Sequence, residues 1–96
     1  MSFYAWDNAQ NIRLRAGRGI GFEDAVFHIE RGDLLDVLER FHPDRGSGPR
    51  VFVVRRDDDV YLVPFVEDEH AVLLKTIIPS RKATKRYLGE ESDDEA

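Results

Sequence analysis

Residues 50–66 have the sequence RVFVVRRDDDVYLVPFV, two apolar runs joined by a short acidic connection. The runs at residues 50–55 and 60–66 are rich in β-branched and aromatic side chains, which favour extended strands. The connection at residues 56–59 carries four charged side chains and belongs at a solvated tip. This stretch therefore predicts a β-hairpin, around which the other elements must be arranged.

Two further strands are expected on either side of the hairpin. Residues 34–41, LLDVLERF, lie between a glycine and the exposed turn cluster of residues 42–49, although a short helix there is the alternative. Residues 71–78, AVLLKTII, suggest an interior strand. Pro64 cannot donate to a ladder, so its strand is expected at a sheet edge or with a bulge. Together these segments predict a four-stranded antiparallel meander.

The N-terminal part of the chain predicts a first helix. Asp7 is its expected N-cap, and Gln10 three residues later completes the pattern of a reciprocal cap. The helix should run to about Ala16, since Gly17 and Gly19 supply the left-handed conformation that ends helices.

A second helix is expected over residues 21–32. Its apolar residues recur at i, i+3, i+4 and i+7, so they form one stripe that faces the core; they are Phe22, Ala25, Val26 and Ile29. Gly32 is the expected end of this helix.

A short third helix is expected at the C-terminal end of the domain. Pro79 ends the last strand, Ser80 is the N-cap, and the helix Arg81–Leu88 is closed by Gly89. The fold class is therefore α+β, with two N-terminal helices packed on a four-stranded antiparallel sheet and a short C-terminal helix. Residues 1–89 form one domain, and the acidic residues 90–96 are expected to be a disordered tail.

Composition limits what this chain can do. Its 96 residues, 42% of them hydrophobic, suffice for one core. There are no cysteines, which excludes disulfides, thiolate metal sites and thiol nucleophiles, and a reducing cytoplasm fits best. Neither a signal peptide nor a membrane-spanning stretch is evident, so no membrane partner is expected.

The formal net charge of −5 hides an asymmetry along the chain. Residues 71–89 hold five basic residues and no acid, whereas residues 90–96 hold five acids. Without those acids the formal net charge is zero. A neutral body with a basic patch can bind RNA, and the acidic tail either screens that patch or stays solvated.

The third helix carries the strongest candidate site. Arg81 and Lys82 in its first turn oppose the helix dipole, unless an anion docks at the free N–H groups and makes both cations favourable. Lys85 and Arg86 extend the basic patch by one turn, and Tyr87 can stack on an exposed base of single-stranded RNA. The alternative is a solvated basic helix whose Tyr87 packs on the sheet.

Other candidate groups carry weaker indications. His28 and His70 have the side chain most often used for acid–base catalysis, although nothing in the sequence places them together. The acidic residues 57–59 and 67–69 lack the spacing of a calcium loop and fit solvated hairpin tips, so no metal and no cofactor are expected. Phe27 projects off the apolar stripe of the second helix, and if exposed it would mark a partner surface.

Three segments taken together resemble the BrnT family of bacterial type II toxin–antitoxin systems. They are residues 4–7 (YAWD), residues 19–25 (GIGFEDA) and residues 80–84 (SRKAT) with a nearby tyrosine, and the resemblance covers residues 3–88. It implies a RelE-like fold and a ribonuclease that arrests translation. It also implies a cognate antitoxin, typically a ribbon-helix-helix DNA-binding protein, which masks the toxin and through which alone DNA is contacted.

The resemblance assigns substrate phosphate contact to Arg81 and Lys82, with Tyr87 a looser match. The chain departs from the family pattern at Gly21, where a capping serine is usual. It departs again at residues 15–18 (RAGR), which lack the family's Lys-His before the glycine.

The leading hypothesis is a metal-independent endoribonuclease toxin that uses the 2′-hydroxyl of RNA as nucleophile. Arg81, Lys82 and Arg86 would stabilise the developing phosphorane charge, and His28 or Tyr87 would act as acid or base. Lys75 and Lys85 would bind RNA. The rival is a non-catalytic interaction module or inactive toxin that represses transcription together with its partner.

Overall fold

The computed structural model describes residues 3–39 and 50–89, and it is an α+β arrangement of three helices and a mixed sheet. The loop expected at residues 42–49 and the tail at residues 90–96 lie outside the described residues. No helix in the described ranges is long and apolar enough to cross a membrane. The elements in chain order are β1 (Phe3–Ala5), α1 (Asn8–Arg18), α2 (Phe22–His28), a π-helical turn (Ile29–Asp33), β2 (Leu34–Glu39), β3 (Arg50–Arg56), β4 (Asp59–Glu67), β5 (Ala71–Leu74), β6 (Ile78–Pro79) and α3 (Arg81–Leu88).

The sheet has the order β1-β5-β4-β3-β2, and β6 pairs with β4 beside β5. The expected hairpin is confirmed as β3 and β4, and residues 34–39 form a strand rather than a helix. The four-stranded antiparallel meander is wrong in two respects. β1 pairs in parallel with β5. Three residues are too few to show the alternation that predicts a strand from sequence. The expected strand at residues 71–78 is divided into β5 and β6.

Pro64 causes that division. It lies inside β4, which pairs with strands on both sides, so the edge strand, one of the two expectations for Pro64, is wrong. The other expectation, a bulge, agrees with the register, which shifts by one residue between the pairs Phe65–Leu74 and Leu62–Ile78. The Pro64 carbonyl accepts from the Lys75 backbone N–H at 2.8 Å, so the side of Pro64 that lacks a donor also faces β5 and β6. The ladder cannot continue there. β5 ends at Leu74, and β6 resumes opposite Tyr61 and Leu62.

The two faces of the sheet are covered differently. α1 and α2 cover one face, where Leu14, Phe22 and Ala25 are buried against residues of β3, β4 and β5. α3 lies on the other face, where Ala83 packs on Val53 and Val60. The prediction that α1 and α2 pack on a sheet is therefore confirmed, and α3 is separated from them by the sheet itself.

Asn11 joins α1 to α2 from a buried position. Its Oδ1 accepts from the Phe22 N–H at 2.7 Å, and its Nδ2 donates to both carboxylate oxygens of Glu23 at 2.9 and 3.0 Å. The Asn11 hydrogen bond is the largest cause of the lowered pKa of Glu23. The same packing bears on Gly21, since an added Cβ would come within 2.8 Å of Asn11 Oδ1 and 2.7 Å of Arg15 Nε. A serine at Gly21 would need this corner to shift.

Details of the helix ends differ from expectation. Asp7 caps α1 by accepting from the Gln10 N–H, as predicted. The Gln10 side chain does not return the bond, because its Oε1 accepts from the Arg13 guanidinium, while its Nε2 donates to the Lys75 carbonyl. α1 continues through Gly17 to Arg18 and ends at Gly19 in the left-handed conformation. α2 ends at His28, and the π-helical turn after it contains Gly32 at φ 104°.

Replacing Asn11 with leucine should lower the free energy of unfolding by about 2 kcal/mol, because the buried Phe22 N–H is left without its acceptor. Urea denaturation measures the change. The matched control is Asn8→Leu at an exposed position of the same helix, expected to stay within about 0.5 kcal/mol of the parent. Equal stabilities of the two variants would contradict the linking role of Asn11.

Candidate nucleic-acid interface on α3

Hydrogen bonds to β4 fix the orientation of α3. The Ser80 N–H donates to the Val60 carbonyl at 3.0 Å, and the Val60 N–H donates to Thr84 Oγ1 at 2.9 Å. The Thr84 hydroxyl in turn donates to the Ser80 carbonyl at 2.7 Å. Ala83 is buried beneath the helix, and Tyr87 and Leu88 pack half-buried on the same cluster, so α3 presents its other faces to solvent.

The outer faces of α3 carry four exposed cations, which are Arg81, Lys82, Lys85 and Arg86. Within residues 3–39 and 50–89, none of these four forms an ion pair. Ser80 Oγ accepts from the Ala83 N–H at 3.0 Å, so one first-turn donor is satisfied. The N–H groups of Arg81 and Lys82 have no acceptor within the helix, by the geometry of a helix start. Cations and amide donors are thus combined at one end of α3.

A cavity of about 320 Å³ lies between α3 and β2. Its lining includes the side chains of Lys82, Arg86 and Tyr87 from the helix and Asp36 and Leu38 from the strand. This cavity is polar on the helix side and partly apolar on the strand side. It therefore offers both charge and a surface on which a base can lie.

Tyr87 and Asp36 are paired across the cavity. The Tyr87 hydroxyl donates to Asp36 Oδ2 at 2.9 Å, and the Arg86 guanidinium carbon lies 5.8 Å from the centre of the Tyr87 ring. The hydrogen bond to Asp36 is the main reason why the pKa of Tyr87 is raised above its ordinary value of 10.0. Tyr87 is therefore a protonated donor at neutral pH and not a base.

His28 is held in another part of the molecule. It lies at the end of α2, in the helical layer on the opposite face of the sheet from α3. Its Nδ1 is 2.7 Å from Asp33 Oδ2, an oxygen that also lies 3.1 Å from Arg31 Nε. The His28 hydrogen bond is the largest cause of the lowered pKa of Asp33. The structure does not bring His28 to the α3 cations.

Lys75 is exposed just beyond β5, and no contact joins it to the α3 cations in the described part of the chain. His70 lies in an exposed turn, where Asp68 Oδ1 accepts from its backbone N–H at 2.8 Å. Phe27 is 58% exposed and carries the Arg31 guanidinium over its ring.

The acidic clusters serve as turns. Asp57 adopts φ 57° in the β3–β4 turn, and Asp68 accepts from the backbone N–H groups of His70 and Ala71, which lowers its pKa. Within the ranges that the structure covers, no group of three or more histidine, aspartate or glutamate side chains is placed to hold a metal ion.

Asp36 is the site residue that sequence reasoning missed. It sits in the strand LLDVLE, which holds two acids, and an acid in such a strand is an ordinary exposed position. Only the sheet order and the placement of α3 bring it to Tyr87. The register of β2 on β3 determines this position, because Asp36 pairs with Val53, and α3 packs on Val53.

Comparison of the chain with protein-family models, curated proteins and solved structures finds no match. The resemblance to the BrnT family therefore stays a prediction, and the functional assignment rests on the geometry of α3 and its cavity.

Replacing Asp36 with asparagine should lower the pKa of Tyr87 toward 10.0, because the carboxylate that opposes its ionisation is removed. The Asp36–Tyr87 bond stabilises the folded state while Tyr87 is protonated. Its contribution is complete below about pH 10 and disappears as pH rises through the elevated pKa. Spectrophotometric titration of tyrosinate measures the shift, with Tyr87→Phe to identify the transition. Tyr4, whose raised pKa comes first from burial, is the internal control and should not move.

Proposed function

We propose that this protein is the toxin of a bacterial type II toxin–antitoxin pair, an endoribonuclease of the RelE-like class that inhibits translation and is neutralised by an antitoxin. The observation that carries the proposal is the group of four cations on α3, without an ion pair among residues 3–39 and 50–89, beside a concave, partly apolar cavity. Cations, helix-terminal amides and a stacking surface are what a single-stranded RNA backbone requires. The resemblance of residues 80–84 to the BrnT pattern supports the same assignment.

The proposed reaction is attack of a ribose 2′-oxygen on the adjacent phosphorus. The 2′-O–P bond forms while the P–O5′ bond breaks, which leaves a 2′,3′-cyclic phosphate and a 5′-hydroxyl. Arg81, Lys82 and Arg86 stabilise the extra negative charge of the phosphorane, and Lys85 binds the flanking backbone. No role is assigned to His28, because it is paired with Asp33 in the other layer.

Asp36 and Tyr87 complete the proton balance of the proposed reaction. The Asp36 carboxylate accepts the proton of the 2′-hydroxyl, and the Tyr87 hydroxyl donates its proton to the leaving 5′-oxygen. Because the two groups are 2.9 Å apart, one proton transfer from Asp36 back to Tyr87 restores both. Tyr87 is protonated at neutral pH and so carries a proton to donate, although its raised pKa makes it a weaker acid than an ordinary tyrosine.

An apolar strip on the same face of the sheet supports an antitoxin partner and also the non-catalytic alternative. The register places Leu38, Val66 and Leu73 on the α3 side, beyond the area that α3 covers, and Val66 is 47% exposed. Exposed apolar groups beside a basic helix fit a partner segment with apolar and acidic residues. If the cavity does not cleave RNA, this surface alone would make the protein an interaction module.

The double variant Arg81→Ala with Lys82→Ala should relieve growth arrest on expression and abolish RNA cleavage by the purified protein in EDTA. Because two phosphate-binding side chains are removed, the slope of log affinity against log salt should also fall by about 1.4 for single-stranded RNA. Gel analysis of cleavage and fluorescence anisotropy at several salt concentrations measure these effects.

Arg31→Ala is the matched control, because it removes an exposed cation from the helical layer on the other side of the sheet. It should leave both cleavage and the salt slope unchanged. Undiminished toxicity of the double variant would count against the α3 site. Intact RNA with the unaltered protein at high concentration would favour the interaction module.

A further inference from the structure

The break between β5 and β6 creates a second polar site, on the side of the sheet that carries α1. The ladder stops opposite Pro64, and α1 side chains approach the freed carbonyl groups of the connecting segment. Gln10 Nε2 donates to the Lys75 carbonyl at 3.4 Å, and the Arg18 guanidinium donates to the Ile77 carbonyl. These contacts hold α1 beside the segment without filling the space between them.

That space is a pocket of about 280 Å³, lined by Gln10, Arg13, Leu14, Gly17, Arg18 and Thr76. It is lined by two arginines and no acid. In the part of the chain that the structure describes, neither Arg13 nor Arg18 forms an ion pair, and the Thr76 hydroxyl makes no hydrogen bond. The Arg13 guanidinium donates to the Gln10 side-chain oxygen at 3.3 Å. The pocket thus offers guanidinium and hydroxyl donors to an anion.

Two other arginines differ from Arg13 and Arg18 because they are paired with carboxylates. Arg15, on the same helix, is 2.9 Å from a carboxylate oxygen of Glu23 and 3.8 Å from one of Asp24, so it is neutralised. A larger cavity of about 440 Å³ elsewhere is lined by Glu30 and Glu67 in addition to Arg50. Arg50 in that cavity is paired with carboxylates. Of these two cavities, only the α1 pocket has a lining that favours an anion.

The connecting segment relates this pocket to α3. Thr76 lines the pocket and Arg81 begins α3, so at most about 18 Å of chain separates the two residues. Proteins that bind single-stranded RNA use basic surfaces that follow the backbone over several nucleotides. The pocket and α3 lie on opposite faces of the sheet, so a strand whose scissile phosphate lies at α3 reaches the α1 pocket by passing around β6, which joins the two sites.

We propose that the α1 pocket binds a phosphate group through Arg13, Arg18 and Thr76, and that this phosphate belongs to the RNA strand whose reacting phosphate lies at α3. The identity of the strand rests on the proposed function, whereas the affinity of the pocket for phosphate does not. Free inorganic phosphate and a nucleic-acid backbone share the relevant chemistry, and binding experiments separate them.

Gly17 allows a test that leaves the arginines intact. A Cβ at Gly17 meets no atom within 4 Å, and Gly17 lies inside α1 without a positive φ, so both glutamate and glutamine are compatible with the helix. Gly17→Glu places a carboxylate at the pocket lining. Gly17→Gln has the same length without the charge and is the matched control. Both variants should be at least as stable as the parent in urea denaturation, because glycine is the weaker helix former.

With a labelled single-stranded RNA and the full chain, Gly17→Glu should bind about tenfold more weakly than Gly17→Gln. For Gly17→Glu, the slope of log affinity against log salt should be smaller by about 0.7, because the carboxylate prevents one phosphate from binding. In NMR titrations with inorganic phosphate, the amide signals of Gly17 (or its replacement), Arg18 and Thr76 should shift and saturate in the parent and in Gly17→Gln, but not in Gly17→Glu. Equal RNA affinity and equal phosphate shifts in the two variants would overturn the proposal.

The outcomes separate this pocket from the nuclease. If the parent cleaves no RNA but the two Gly17 variants still differ in RNA affinity, the phosphate site stands and the proposed catalysis falls. If phosphate shifts depend on residue 17 while RNA affinity does not, the pocket binds phosphate and RNA is excluded as its source. The variant Arg81→Ala with Lys82→Ala should keep the phosphate shifts at Thr76, because its substitutions lie on α3.

Discussion

The missing N–H of Pro64 is the constraint on which the rest of this structure depends. β4 is the central strand of the sheet, and a proline there leaves one rung that no neighbour can complete. For this reason β5 ends at Leu74, and the following segment passes beside α1. Pairing with β4 then resumes in β6, opposite Tyr61 and Leu62. α3 follows β6 directly. The interruption between β5 and β6 therefore also affects where α3 begins on the second face of the sheet. One absent donor thus contributes to both polar sites.

The formal negative excess lies in residues 90–96, and several acids elsewhere are used locally, so a chain of negative net charge can present basic surfaces. Glu23, Asp33 and Glu67 each hold an arginine nearby, and Asp68 is used by backbone N–H groups of its own turn. The cations of α3 have no such partners in the described ranges. Exposed charges interact over about 8 Å at physiological salt, so local arrangement matters more than the overall balance. A low isoelectric point is therefore compatible with an RNA-binding face.

Much of the fold could be predicted from short-range patterns. Two β-branched runs around RDDD indicated the hairpin, Asp7 and Ser80 indicated two helix starts, and Gly89 indicated a helix end. Gly17 and Gly19 together indicated the end of α1, which was expected near Ala16 and lies at Arg18. Three features of the fold were not predicted from the sequence. β1 is too short to show a period, the expectation of an edge or a bulge at Pro64 did not identify β4 as the central strand, and the Gln10 side chain was assigned to its own helix end although it reaches the Lys75 carbonyl. Each error concerns a partner that lies far away along the chain.

The sequence by itself determined the kinds of elements, their caps and the concentration of cations between residues 75 and 86, because periodicity, capping and charge are properties of neighbouring residues. Only the tertiary structure decided which side of the sheet each helix covers. That decision placed Asp36 against Tyr87, removed His28 from the α3 cations, and set Arg13 and Arg18 beside Thr76. The physical reason is that strand order and register join residues across the chain, and side-chain pairs of this kind leave no pattern in a single sequence.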